Sequence, residues 1–149
     1  NLAFISDAGT PGISDPGVEL VAWVRSNTDA TVVPIPGASA LTTALSGSGI
    51  PSAHVEYLGF LPHKKGRETL FTRMVNTEHT IVFYESPHRL LKTLTSLEKC
   101  MPTRGICIAK ELTKIHERFI YGTATEILEI YKQHPDYIKG EFVFIIRPI

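Results

Sequence analysis

Apolar residues fall along this chain in blocks of two different periods. Short, nearly continuous apolar runs, as a buried strand presents, occupy Leu2-Ala3-Phe4-Ile5, Thr31–Ile35, Val55–Phe60, Thr80–Tyr84, Gly105–Ala109 and Phe142–Ile146. Glu117–Tyr121 predicts a further strand, and Phe142–Ile146 reads as a central one. Between these runs the spacing is helical. Val18–Arg25 predicts a helix with Asp15 as its cap and Pro16 at its first position. Ala38–Ser46 follows the turn Pro36-Gly37. Behind Lys64-Lys65-Gly66-Arg67, the residues Leu70, Phe71, Met74 and Val75 share one helix face. Leu90, Leu91, Leu94 and Leu97 stripe a helix capped by Ser86, with Pro87 at its start. Thr123-Ala124-Thr125-Glu126 has capping-box spacing ahead of Ile127, Leu128, Ile130 and Tyr131. Trp23 and the strand aromatics Phe60 and Phe83 read as core.

Strands alternating with helices predict an α/β protein. The first two apolar runs, joined by a helix, predict a right-handed βαβ unit with parallel strands. Gly47-Ser48-Gly49-Ile50-Pro51 is the clearest break in the chain. It divides an expected first domain, residues 1–50, from a second, residues 51–149.

Composition narrows the function classes. With 149 residues, 43% hydrophobic and 20% charged, the chain has the balance of a soluble globular protein. No apolar run is long enough to span a bilayer and no signal peptide is visible, so a cytoplasmic location with no membrane partner is expected. Cys100 and Cys107 make neither a disulfide framework nor a zinc site, and the histidines show no metal-ligand spacing; no metal is expected. The formal net charge is zero, yet unevenly spread. Residues 1–51 carry Asp7, Asp15, Glu19 and Asp29 against Arg25 alone, and the second half holds the balancing excess of Lys and Arg with all 6 histidines. A polyanion would meet that second half. Neither a G-x-G-x-x-G loop nor a P-loop lysine motif is present, which argues against hydride transfer and NTP hydrolysis.

The stretch with the strongest chemical signal is Ser6-Asp7-Ala8-Gly9-Thr10-Pro11-Gly12-Ile13-Ser14-Asp15-Pro16-Gly17. It lies between a predicted strand and a predicted helix, where open α/β sheets bind ligands. Glycine content alone leaves open whether it is a binding loop or only a crossover. The whole string resembles the signature of the tetrapyrrole-methylase-like S-adenosylmethionine transferases. Four more stretches match in order: Pro34–Ala40, Tyr57–Pro62, Phe83–Leu91 and Ala109–Lys114. They are most similar to the branch that methylates a cytidine ribose 2′-hydroxyl of 16S ribosomal RNA.

The resemblance implies a parallel-sheet first domain of which this chain holds only the C-terminal part. It also implies a smaller α/β domain with a mixed sheet, and a cofactor cleft between the two. The cofactor is S-adenosyl-L-methionine, with contacts at or beside Ser6, Asp7, Thr10, Ser39, Ala40 and Leu112. The implied partner is 16S ribosomal RNA in the small ribosomal subunit, and the implied assembly a homodimer. For proton removal from a ribose hydroxyl, the candidates are Glu85, Lys110 and Glu111, with Tyr84, His88 and Arg89 as substrate contacts. Each has a plainer alternative. Glu85 reads equally as an exposed strand-end acid, Lys110 and Glu111 as a surface ion pair, and His88 and Arg89 as an exposed helical turn. Two rival functions stand beside the main one: a methylase of tetrapyrrole precursors on the same fold, and a non-catalytic binding module.

Overall fold

A computed structural model describes residues 2–149; Asn1, the first residue of the expected first domain, lies outside them. The chain divides into two compact units, one ending at Ser39 and the other spanning Ala40–Ile149. The first contains helix α1 (Val18–Asn27) and long loops. Leu2–Ile5 and Thr31–Ile35, expected as strands, join no sheet. A strand exists only with a ladder partner for its N–H and C=O groups, and neither segment has one among the described residues. Their apolar side chains stay exposed, Leu2, Ile5, Val33 and Ile35 among them. Helix α1 buries no residue, and Trp23, expected in the core, is 59% exposed. Asp15 does not cap α1. Gly17 takes that position at φ 121°, a left-handed conformation that suits glycine, with no side-chain cap.

The second unit is built on a mixed sheet. Its strands are β1 (Val55–Phe60), β2 (Thr80–Glu85), β3 (Ile106–Lys110), β4 (Arg118–Gly122) and β5 (Phe142–Ile146), in spatial order β1-β2-β5-β3-β4. Only the β1–β2 pair is parallel. Strand β5 lies in the middle with every residue buried, as its unbroken apolar run predicts.

The period of two along each strand sorts side chains between two cores. On one face, Ile81, Phe83, Ile106, Ile108, Phe142 and Phe144 pack under α3 (Arg67–Val75), α4 (Pro87–Cys100) and α5 (Ala124–Gln133). Phe83 stacks on Phe144 at 4.8 Å between ring centroids. On the other face, Val82, Cys107, Ala109, Val143 and Ile145 pack with α2 (Ala40–Ser48) through Ala44. Thr123 caps α5 through the expected reciprocal box with Glu126.

Leu94 lies at the centre of the α4 stripe with no exposed surface. Leu94→Ala should lower unfolding free energy by about 2–5 kcal/mol with an unchanged urea m-value. A loss below about 1 kcal/mol in urea titration would contradict this packing.

Candidate functional site

In the first unit the Ser6–Gly17 loop is tied to the loop before α2 by two hydrogen bonds. Thr10 N–H donates to the Ala38 carbonyl at 2.9 Å, and Gly37 N–H donates to Thr10 Oγ1 at 3.2 Å. Gly9 has φ 71°, and a Cβ there would run into the Ala38 carbonyl oxygen. The close approach of these two loops therefore needs glycine. Around this tie lie three of the expected cofactor residues. Asp7 is exposed, Thr10 is half-buried, and Ser6 Oγ is buried with no hydrogen-bond partner among the described residues. Asp15 Oδ2 is also buried without a partner. Such orphaned polar atoms are costly unless a ligand or water satisfies them. A donor–acceptor set of this kind fits a cofactor carrying ribose hydroxyls, an ammonium and a carboxylate.

In the second unit, strand alternation separates the expected residues. Tyr84 faces the α2 side, against Tyr57 and Phe60, at 5.4 and 5.6 Å between ring centroids. Burial chiefly, and then hydrogen bonding with Tyr57, raises its phenol well above the usual range. Glu85 is on the α4 side, where Ser86 N–H donates to Oε1 at 2.9 Å, Arg89 Nε to Oε1 at 2.6 Å, and Thr93 Oγ1 to Oε2 at 2.7 Å. Arg67 donates to Thr93 Oγ1 at 2.8 Å and to the Pro62 carbonyl at 3.2 Å; Arg89 also donates to the Leu61 carbonyl at 2.8 Å. Glu85 is thus no exposed strand-end acid: it is 2% exposed and both oxygens are occupied. Arg89 is no exposed first-turn residue either, whereas His88 is.

Lys110 shares that face and that end of the sheet. Glu85 pairs with Phe142 across one ladder and Lys110 pairs with Phe142 across the next. Two strand spacings, about 10 Å, separate the two backbones. Lys110 is 5% exposed, not a surface residue, and its charge adds to the forces that hold the neighbouring Glu111 carboxyl down. Glu111 turns away into the next loop. Its Oε1 accepts from Glu141 N–H at 2.9 Å and from Lys114 Nζ at 3.0 Å. The Glu141 N–H chiefly, and then Lys114, hold its carboxyl below the ordinary value of 4.5. Leu112 packs partly buried on the α2-side core.

Backbone strain marks the same places. Among the described residues, the non-glycine residues at positive φ are Ser14 (55°), Glu111 (50°) and Thr113 (63°). All three lie in the loops carrying the expected cofactor residues, where strain of this kind tends to gather. Sequence reasoning missed Arg67 and Thr93 as partners of Glu85. One signal was available: Thr93 is a hydroxyl on the buried stripe of α4, beside Leu90, Leu94 and Leu97.

Glu85→Gln should destabilise the protein by about 3–5 kcal/mol, since it leaves Arg89 without its buried counter-charge. Chemical denaturation measures this, and a change below about 1 kcal/mol would contradict the network. Glu111 gives a pH-dependent expectation. Its carboxyl is depressed in the fold, so its stabilisation is present above about pH 4.5 and is lost as pH falls through the lower folded value. Glu111→Gln should flatten the dependence of stability on pH below about 4.5. An acid limb as steep as the wild type's would contradict the assignment.

The model of the family described as "Tetrapyrrole (Corrin/Porphyrin) Methylases" matches residues 1–128. Two curated relatives are named "Ribosomal RNA small subunit methyltransferase I". The one from Synechocystis sp. is 45% identical, covering 98% of this chain and 52% of its own length. The one from Halalkalibacterium halodurans is 44% identical, covering 98% and 50%. The chain therefore spans about half the length of the curated relatives it matches. Among solved structures, the methyltransferase CobJ is similar at TM-score 0.64 and 20% identity, covering 94% of this chain and 62% of its own. Uroporphyrin-III C-methyl transferase from Thermus thermophilus, complexed with S-adenyl homocysteine, is similar at TM-score 0.61 and 17% identity, covering 93% and 62%. The chain belongs to the tetrapyrrole (corrin/porphyrin) methylase family.

Proposed function

We propose that this chain is part of an S-adenosylmethionine-dependent methyltransferase that modifies a cytidine ribose 2′-hydroxyl of 16S ribosomal RNA. The observation that carries the reading is identity of 44–45% over nearly the whole chain to relatives named for ribosomal RNA small subunit methylation. The proposal extends to the assembled small subunit as substrate, a homodimer as the working form and the cytoplasm as location. It includes the finer architecture expected from the sequence, with residues 1–50 from a parallel-sheet first domain, residues 51–149 a second domain, and a cofactor cleft. The relatives at 44–45% identity are named for ribosomal RNA small subunit methylation, whereas the likeness to CobJ is one of fold.

Bound S-adenosylmethionine supplies an electrophilic methyl on a sulfonium. Ser6, Asp7, Thr10, Ser39, Ala40 and Leu112 hold it, with the orphaned Ser6 hydroxyl as the feature that fits a polar ligand. Methyl transfer is an in-line displacement, so fixing the acceptor oxygen supplies much of the rate. Tyr84 and His88 contact the nucleotide. Lys110, buried at the strand end on the row of Glu85 and Phe142, stabilises negative charge as the 2′-oxygen gives up its proton to solvent. Glu85, Arg89 and Glu111 act by positioning, as their occupied oxygens and guanidinium support.

The test is transfer of labelled methyl from S-adenosylmethionine to unmodified small subunits, by a protein carrying this chain at the full length of its relatives. Lys110→Met should lower kcat by roughly 100-fold or more while leaving the KM for S-adenosylmethionine within about twofold. Asp7→Ala should raise that KM by about tenfold, the loss of one hydrogen bond to a charged group. Folded protein that transfers no methyl to small subunits, or a fully active Lys110→Met variant, would contradict the proposal.

A further inference from the structure

Beside the Glu85 cluster, a groove of about 760 Å³ runs between α3 and α4 on the outer face of the second unit. Its charge is one-sided. Lys64, Lys92 and Lys99 line it against a single acid, Glu68. All three lysines are exposed, and none of their ammonium groups makes a hydrogen bond or ion pair with the described residues. Some other surface cations are paired: Lys114 bridges Glu111 and Glu141, Lys132 meets Glu129, and Arg73 meets Glu56. A cleft lined by unpaired charge of one sign concentrates oppositely charged ligands.

The floor of the groove is held rigidly. Arg67 is 8% exposed and turned inward onto Pro62 and Thr93, so it shapes the groove rather than offering a free charge. Thr69 adds a hydroxyl along the wall, while the Thr72 and Ser96 hydroxyls there already donate to the Glu68 and Lys92 carbonyls. A free hydroxyl such as that of Thr69 is an ordinary donor to phosphate oxygens, and lysines are phosphate's point-charge partners.

The groove also leads from the candidate site. α3 and α4 follow the parallel strands β1 and β2, so both helices start at the sheet end that carries Glu85. Lys64 lies at that end and Lys99 in the last turn of α4. From Lys92 to Lys99 the axial rise is about 10 Å. The cations therefore form a track rather than a single point.

We propose that this groove binds the phosphodiester backbone of ribosomal RNA flanking the target nucleotide. The inference rests on the reading of the protein as a ribosomal RNA methyltransferase. It assigns to α3 and α4 the sequence-independent part of the affinity, which the neutral net charge otherwise leaves without a source. Three phosphate contacts of this kind lower affinity as salt rises, by a slope of about 2 in log K against log salt.

The experiment compares K64Q/K92Q/K99Q with wild type, using protein-free 16S ribosomal RNA between 50 and 200 mM salt. Circular dichroism melts check folding, and calorimetry with S-adenosylmethionine checks the cofactor site. The triple variant should bind the RNA roughly tenfold or more weakly at the low-salt end, with its salt slope reduced by about 2 and cofactor affinity unchanged. K132Q/K139Q, remote from the groove, should stay within about twofold of wild type. Wild-type RNA binding that the triple variant retains overturns the groove and leaves the methyltransferase reading standing. An equal loss in K132Q/K139Q also overturns it, as general charge attraction. Unchanged binding to protein-free RNA with loss only on intact subunits assigns the lysines to a ribosomal protein and overturns it too. A wild type that binds cofactor but no ribosomal RNA overturns the underlying reading as well.

Discussion

The buried carboxylate of Glu85 sets the terms for the second unit. A carboxylate out of water is costly unless its oxygens are occupied and its charge is met. Here one backbone N–H, one guanidinium and one hydroxyl meet it, and they come from the start and middle of α4. Through Arg67 and Arg89 the same cluster reaches the carbonyls of Leu61 and Pro62, just after β1. The ends of β1 and β2 and the first turns of α3 and α4 are thereby held as one piece. Each donor is needed because the others are already used, so the cluster specifies a single arrangement.

In the proposed reaction that rigidity would matter, because methyl transfer from a sulfonium depends on alignment more than on acid–base strength. Fixed strand ends present Lys110 on the row of Glu85 and Phe142, and Tyr84 on the opposite face. The loops at positive φ, around Ser14 and from Glu111 to Thr113, hold their shapes by hydrogen bonds and pay for them in strain. Under the proposed function the sheet would supply geometry and the strained loops contacts.

Much of the second unit was legible in the sequence. The apolar run Phe142–Ile146 gave away a central strand, and Thr123 with Glu126 an intact capping box. The first unit was less legible. Leu2–Ile5 and Thr31–Ile35 carry the residues of strands, but strand formation is a property of pairs, and a single segment's composition says nothing about its partner. The Asp15-Pro16 cap signal lost to Gly17, whose positive φ starts α1 later. Among the candidate residues, the surroundings of the acids were least legible. Glu85 and Glu111 look alike in sequence, yet tertiary donors from Thr93 and Glu141 commit both, and those partners are 8 and 30 residues away. Lys110 stood out only once its burial at the strand end was visible.

Whether the methyl acceptor is a cytidine ribose is the claim on which the functional account stands. The most direct measurement is mass spectrometry of nucleosides from small-subunit RNA, after reaction with S-adenosylmethionine carrying a deuterated methyl group. Label in 2′-O-methylcytidine is the result the account predicts. Label on a base, or on tetrapyrrole precursors in place of RNA, would contradict it.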